Sequence, residues 1–172
     1  MTPRWTIPAG PCRLAGARVH AATLDAPPGE TDRDGFARRD LWIAEGRVGL
    51  DGPTDAPAVE MAGAIVLPGF VDCHAHLDKG HIWPRRPNPD GSFDGALAAV
   101  SEDRDANWTA EDVRSRMSFA LRSAHAHGTV AIRTHLDSVG AQTPISWGVF
   151  RETRADWAGR IDLQAVCLLG ID

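Results

Sequence analysis

Residues 67–78 read LPGFVDCHAHLD, an apolar strand-like segment that carries two histidines two positions apart. Because side chains alternate between the two faces of a β-strand, His74 and His76 are expected on one face, with Phe70 and Asp72. The opposite row is apolar and is expected to pack under helices. It consists of Val71, Cys73, Ala75 and Leu77. The segment therefore predicts a strand that presents two imidazoles on the same side.

The sequence before this segment is typical of β-structure. Short apolar runs at 14–24, 40–50 and 59–67 are separated by Pro, Gly and Asp, and Glu45-Gly46 has the character of a hairpin turn. The pattern predicts several short strands and a domain boundary near Leu67.

From Pro68 onward, apolar strands alternate with helical stretches, which is typical of βα units and a parallel sheet. The predicted strands are 70–77, 129–135 and 161–168. The predicted helices are 94–104, a helix that begins at Thr109 and ends at Gly128, and one between Thr143 and Gly159. The sequence thus predicts an α/β chain.

Composition excludes several classes of function. The chain has 172 residues, 43% of them apolar, and a formal net charge of −5, which argues against nucleic acid or an anionic membrane surface as partners. The sequence has neither an apolar run of about 18 residues nor a typical secretory signal. Cys12, Cys73 and Cys167 lie far apart, so we expect reduced thiols in a cytoplasmic protein.

Imidazole nitrogen is a good ligand for zinc and other divalent metals, so His74 and His76 are candidate metal ligands. Two histidines at this spacing, near the C-terminal end of a strand, can bind one ion. The pair alone is a weak signal, because surface histidines and satisfied core histidines also occur at this spacing.

Residues 67–78, together with the upstream segment DLWIAEGRV at 40–48, resemble the amidohydrolase superfamily. This resemblance implies that 1–67 form the N-terminal β-sandwich part and that 68–172 begin a metal-dependent (β/α)₈ TIM barrel. It also implies that His74 and His76 are metal ligands. The segments RTHLD at 133–137 and DLQAV at 162–166 are similar to the cytosine deaminase branch of that superfamily.

The resemblance to this branch implies a metal-dependent hydrolase of carbon–nitrogen bonds, a deaminase or amidohydrolase of a nitrogen heterocycle, with zinc or iron as cofactor. Cytosine deaminases carry a pyrimidine-binding Gln just after the third barrel strand, whereas this chain has Leu-Leu-Gly at 168–170. The heterocycle therefore stays open.

The remaining catalytic groups of the family have no counterpart in this sequence. Its further His ligands, its metal-bound Asp and its acid/base Glu come from later barrel strands, and a TIM barrel takes about 250 residues, whereas about 105 follow Leu67. We therefore expect about three βα units, a truncated chain that is inactive alone, and no identifiable catalytic residue. The alternative is a non-catalytic half-barrel that self-associates or assembles with a complementary chain.

Several polar residues are weaker candidates for substrate binding, and each has a structural alternative. They are Asp78, His81, Trp83, Arg133 and His135. The first three follow the histidine segment on an expected loop, and the other two lie on the inner face of the second predicted strand, where polar fillers also occur. Asp72 is expected either to orient one of the two histidines or to bind a backbone amide.

Overall fold

The computed structural model describes residues 5–25 and 29–170. The chain divides into two compact units, Met1–Pro68 and Gly69–Asp172. In the described residues, the first unit contains a five-stranded sheet, and the second contains a three-stranded sheet with three α-helices. The α/β class predicted from the sequence is confirmed.

The first unit is built around one long strand. Its elements are β1 (Cys12–His20), a 3₁₀ turn (Ala21–Thr23), β2 (Phe36–Ala44), β3 (Arg47–Gly49), β4 (Ala58–Glu60) and β5 (Ile65–Val66). The sheet order is β3-β2-β1-β4, and β5 also pairs with β1. Strands β4 and β5 run parallel to β1, and β2 runs antiparallel to it.

The predicted hairpin is present between β2 and β3. Glu45 and Gly46 both have positive φ, 51° and 72°, as a two-residue turn matched to the strand twist requires. The apolar core of the unit consists of Cys12, Leu14, Ala17, Val19, Leu41 and Met61. Because the described residues of this unit form one sheet, the predicted sandwich stays an expectation.

The second unit alternates strands and helices. Its elements are β6 (Phe70–Ala75), α1 (Phe93–Asn107), α2 (Ala110–Ala126), β7 (Thr129–Asp137), α3 (Gln142–Asp156) and β8 (Asp162–Leu168). The sheet order is β6-β7-β8, and both pairings are parallel. The three strands and three helices predicted for this part are all present. No helix in residues 5–25 or 29–170 is long and apolar enough to cross a membrane.

Helix α2 shows why this sequence folds as predicted. The Thr109 side chain caps its first turn by accepting a hydrogen bond from the Asp112 amide, and Gly128 lies just beyond its end with φ +87°. Its apolar stripe is fully buried in the core of the second unit. The stripe consists of Val113, Met117 and Leu121. The helix thereby anchors the sheet that carries the two histidines.

The apolar row of β6 is buried only at its C-terminal end. Val71 is 69% exposed and Cys73 is exposed, whereas Leu77 is buried and Ala75 packs against the core. Strand β6 lies at an edge of the described sheet, and the helices cover only its last residues. The prediction that the whole row packs under helices is therefore wrong for its first half.

Replacing Thr109 with alanine should lower the free energy of unfolding of the second unit by about 1 kcal/mol, because the Asp112 amide loses its capping acceptor. Urea denaturation followed by circular dichroism measures the change. Thr109→Ser is the matched control and should retain most of the stability, since it keeps the hydroxyl. Equal stability of T109A and wild type would contradict the capping role.

Candidate metal centre

Three imidazoles meet on one face of the second unit's sheet. The ring centroids of His74 and His76 are 5.3 Å apart, and those of His76 and His135 are 5.6 Å apart. The rings of His74 and His135 stack, with centroids 4.1 Å apart and planes inclined by 26°. The structure thus brings the predicted metal pair together with one of the weaker candidates.

A β-bulge in β6 shapes the backbone beneath the pair. Asp72 pairs with Ile132 and Ala75 with Thr134, so three steps along β6 oppose two along β7. Bulges re-aim side chains and are frequent beside active sites. The Asp72 carboxylate accepts a hydrogen bond from the His74 amide at 3.0 Å. Asp72 therefore binds the backbone amide of His74, one of the two roles expected for it from the sequence.

The orientation of His76 is fixed by a hydrogen bond. Its Nδ1 donates to the backbone carbonyl oxygen of His135 at 3.1 Å. Because a carbonyl can only accept, Nδ1 carries the proton and Nε2 keeps a free lone pair. Burial lowers the pKa of His76 below its usual value, which favours the neutral ring that binds metals.

The pair fits two ligand positions of one metal ion. With Zn–N distances of about 2.0–2.1 Å, two imidazoles on a tetrahedral ion place their ring centroids about 5 Å apart. The observed 5.3 Å between His74 and His76 agrees with this separation. Within residues 5–25 and 29–170, no group of three or more His, Cys, Asp or Glu side chains is arranged to hold an ion. His74 and His76 therefore stay the candidate ligands among these residues.

The segment after His76 is tied to β7 by hydrogen bonds that sequence reasoning missed. The Leu77 amide donates to Thr134 Oγ1 at 3.0 Å, and Thr134 is fully buried. Arg116 of α2 donates to the Asp78 carbonyl oxygen. The sequence does hint at both residues. Thr134 is a polar residue in the otherwise apolar row of β7, and Arg116 is a charged residue on the buried face of α2.

Asp78 is fully buried rather than solvated. Its Oδ2 accepts a hydrogen bond from the Asp137 amide at 2.9 Å, while Oδ1 has no hydrogen-bond partner in the part of the chain that the structure describes. Burial, with the nearby Asp137 carboxylate, raises the pKa of Asp78 from 3.8 to about 6. The Asp137 side chain forms ion pairs with Lys79 at 2.8 Å and with Arg104 of α1 at 3.3 Å.

The other candidates for substrate binding are His81, Trp83 and Arg133, and each has different surroundings in the structure. His81 has a left-handed backbone, with φ 63°, and its ring packs edge-on against Phe119. Trp83 is 64% exposed. Arg133 directs its guanidinium to Gln164 of the neighbouring strand, with a shortest distance of 2.8 Å. Substrate contacts by these residues, and by Asp78, stay predictions.

The chain is similar in sequence to a curated deaminase. No protein-family model matches the chain. The chain is 48% identical over 164 residues to a curated pterin deaminase from Rhizobium rhizogenes, covering 92% of this chain and 37% of the relative. It therefore spans little more than a third of that relative's length.

Solved structures agree in fold. N-isopropylammelide isopropylaminohydrolase from Burkholderia multivorans matches with a TM-score of 0.64 at 28% identity, covering 92% of this chain and 37% of that one. The 5-methylcytosine deaminase from Klebsiella pneumoniae matches with a TM-score of 0.68 at 24% identity, covering 90% and 36%. The chain thus shares the fold of the matched portions of these two enzymes. The chain belongs to the amidohydrolase superfamily and corresponds to the N-terminal portion of its members.

Replacing Asp78 with asparagine should change how stability depends on pH. Because the folded pKa lies above the unfolded value, the contribution of Asp78 is fully present below about pH 4 and is lost as the pH rises through about 6. Relative to D78N, the wild type should lose roughly 2–3 kcal/mol between pH 4 and pH 8. Urea denaturation across this range measures the difference.

The matched control is Asp162→Asn, which removes an exposed carboxylate on β8. It controls for the loss of one negative charge at a position where the side chain is exposed to solvent. A D78N profile that runs parallel to the wild type would contradict the buried, proton-binding state of Asp78.

Proposed function

We propose that this chain carries the first part of a metal-dependent hydrolase that removes an amino group from a nitrogen heterocycle of the pterin class. The observation that carries the proposal is the His74–His76 pair, whose 5.3 Å separation and free Nε2 of His76 suit one divalent ion. The 48% identity to a pterin deaminase supports the substrate class. The fold likeness to a cytosine-type deaminase supports the general reaction on a ring carbon.

A zinc or iron ion, when bound, would lower the pKa of a water molecule and so supply a nucleophile for an sp² ring carbon that carries an amino group. His74 and His76 would hold such an ion. The Asp72 carboxylate maintains the bulge that carries His74, and the His135 carbonyl keeps the Nδ1 proton on His76. Trp83 and Arg133 remain candidates for contact with the flat heterocycle.

The proposed architecture follows the same family. Strands β6, β7 and β8 with their helices correspond to the first βα units of a (β/α)₈ barrel, and the sheet of Met1–Pro68 corresponds to the N-terminal part of a β-sandwich. The remaining ligands and the acid/base group would come from the part of the family fold that this chain does not span. The whole protein would act in the cytoplasm on a small-molecule substrate.

A second candidate is a half-barrel that assembles with a complementary chain. Exposed apolar side chains on the second unit's sheet and its flanking residues favour it. They are Phe70, Val71, Val130 and Leu169, each between 48% and 69% exposed. Unlike the first candidate, this one gives the chain no catalytic role of its own.

Metal binding tests the site directly. Calorimetric titration of the 172-residue chain with Zn²⁺ should show one ion per chain, and His74→Ala or His76→Ala should weaken binding at least about tenfold, because each removes half of the imidazole donors. His127→Ala is the matched control, since His127 lies at the end of α2 with its Nδ1 on the Ser123 carbonyl. Equal affinity in all four proteins would contradict the proposed pair.

Turnover is tested in a chimera that joins this chain to the remaining sequence of the Rhizobium rhizogenes pterin deaminase. We expect metal-dependent ammonia release from pterin, lost in H74A and H76A and kept in H127A. Cytosine and N-isopropylammelide serve as comparison substrates. A folded, metal-loaded chimera that releases neither ammonia from pterin or cytosine nor isopropylamine from N-isopropylammelide would contradict the deaminase assignment.

A further inference from the structure

The two metal-binding histidines are constrained unequally. His76 is partly buried, and its Nδ1 is fixed by the carbonyl of His135. His74 is exposed, and within residues 5–25 and 29–170 neither of its ring nitrogens takes part in a hydrogen bond. Something other than a hydrogen bond must therefore hold the ring of His74 in a position suited to binding.

The ring of His135 is the surface on which His74 rests. Their centroids are 4.1 Å apart with an inclination of 26°, whereas the contact between His74 and His76 is edge-on, at 67°. A near-parallel stack of flat rings restricts rotation of a side chain about both of its side-chain torsions. Among the aromatic rings of residues 5–25 and 29–170, His135 is the one that stacks on the face of His74.

His135 is itself well placed to act as a fixed support. It lies on β7, the central strand, and pairs in register with Val166 of β8, while its neighbour Thr134 pairs with Ala75 of β6. Its Nδ1 is buried and has no hydrogen-bond partner in the described residues. The backbone of His135 is therefore fixed within the sheet, and no hydrogen bond at Nδ1 draws the ring away from His74.

We propose that His135 is a positioning residue for the metal pair, and that it acts by two separate routes. Its backbone carbonyl sets the tautomer of His76, and its ring sets the rotamer of His74 by stacking. We assign it a supporting role and not that of a third ligand, because its ring lies almost parallel to that of His74 at only 4.1 Å between centroids, closer than the about 5 Å expected for two imidazoles on one tetrahedral ion. The inference rests on the proposed function, since it concerns the same pair.

The test compares His135→Ala with His135→Phe. Alanine removes the stacking surface, whereas phenylalanine keeps a flat ring and lacks both nitrogens, and the backbone carbonyl is present in each. In calorimetric titrations with Zn²⁺, H135A should bind about fivefold to tenfold more weakly than the wild type, and H135F should stay within about twofold. His127→Phe is the control for an unrelated histidine.

A second readout does not depend on metal. In ¹H–¹⁵N spectra of the metal-free chain, the His74 imidazole signals should broaden or move in H135A as the ring becomes mobile. In H135F they should keep the sharpness of the wild type. Circular dichroism and urea denaturation of each variant verify that the sheet still folds.

The outcomes separate this inference from the proposed function. If wild type binds Zn²⁺ through His74 and His76 but H135A binds equally well, the positioning role is overturned and the metal site stands. If H135F is as weak as H135A, a nitrogen of His135 is required and stacking is not the cause. If the wild type binds no metal, the proposed function fails, and this inference fails with it.

Discussion

The arrangement of the histidine pair depends on how the end of β6 is joined to β7. The bulge between Asp72 and Ala75 breaks the regular ladder, and side-chain acceptors take over from backbone partners on both sides of it. Asp72 accepts from the His74 amide, and Thr134 accepts from the Leu77 amide. Without these acceptors, backbone amides near the pair would lose their partners, which is costly where they are buried.

The segment that follows His76 also links the site to the helices of the second unit. Arg116 extends from α2 to the Asp78 carbonyl, and it lies over the ring of Trp108, 4.8 Å from its centroid. The Asp112 carboxylate accepts hydrogen bonds from Arg116 and Arg85. Arg85 also forms an ion pair with the buried Asp103 of α1. The loop after the histidines is therefore connected to the two helices by charged hydrogen bonds as well as by apolar contacts, such as that of His81 with Phe119 of α2.

Much of the fold could be predicted from sequence because it follows from local patterns. The period of α2, its Thr109 cap and the alternation of β7 each identify an element without knowledge of its neighbours. The pairing of His74 with His76 also followed from a period of two. The exposure of Val71 and the stacking of His135 on His74 did not, because both depend on the bulge and on which strand lies at the edge.

The burial of Asp78 shows a second limit. The residue follows an apolar strand and precedes Lys79 and Gly80, a pattern typical of a solvated loop, yet its carboxylate is fully buried against the backbone of β7. Its acceptor role depends on Asp137, which is 59 positions away in the sequence. Contacts between residues this far apart leave no periodic pattern in the sequence, so hydrogen bonds of this kind between strands are seen only in the structure.

The proposed site requires that one divalent ion bind the imidazoles of both His74 and His76. X-ray absorption at the zinc edge of the Zn²⁺-loaded chain reports the atoms that surround the ion. We expect two imidazole nitrogens at about 2.0–2.1 Å, with the outer-shell scattering of the rings, and water oxygens in the remaining positions. A spectrum with oxygen neighbours alone and no imidazole scattering would contradict the proposed site.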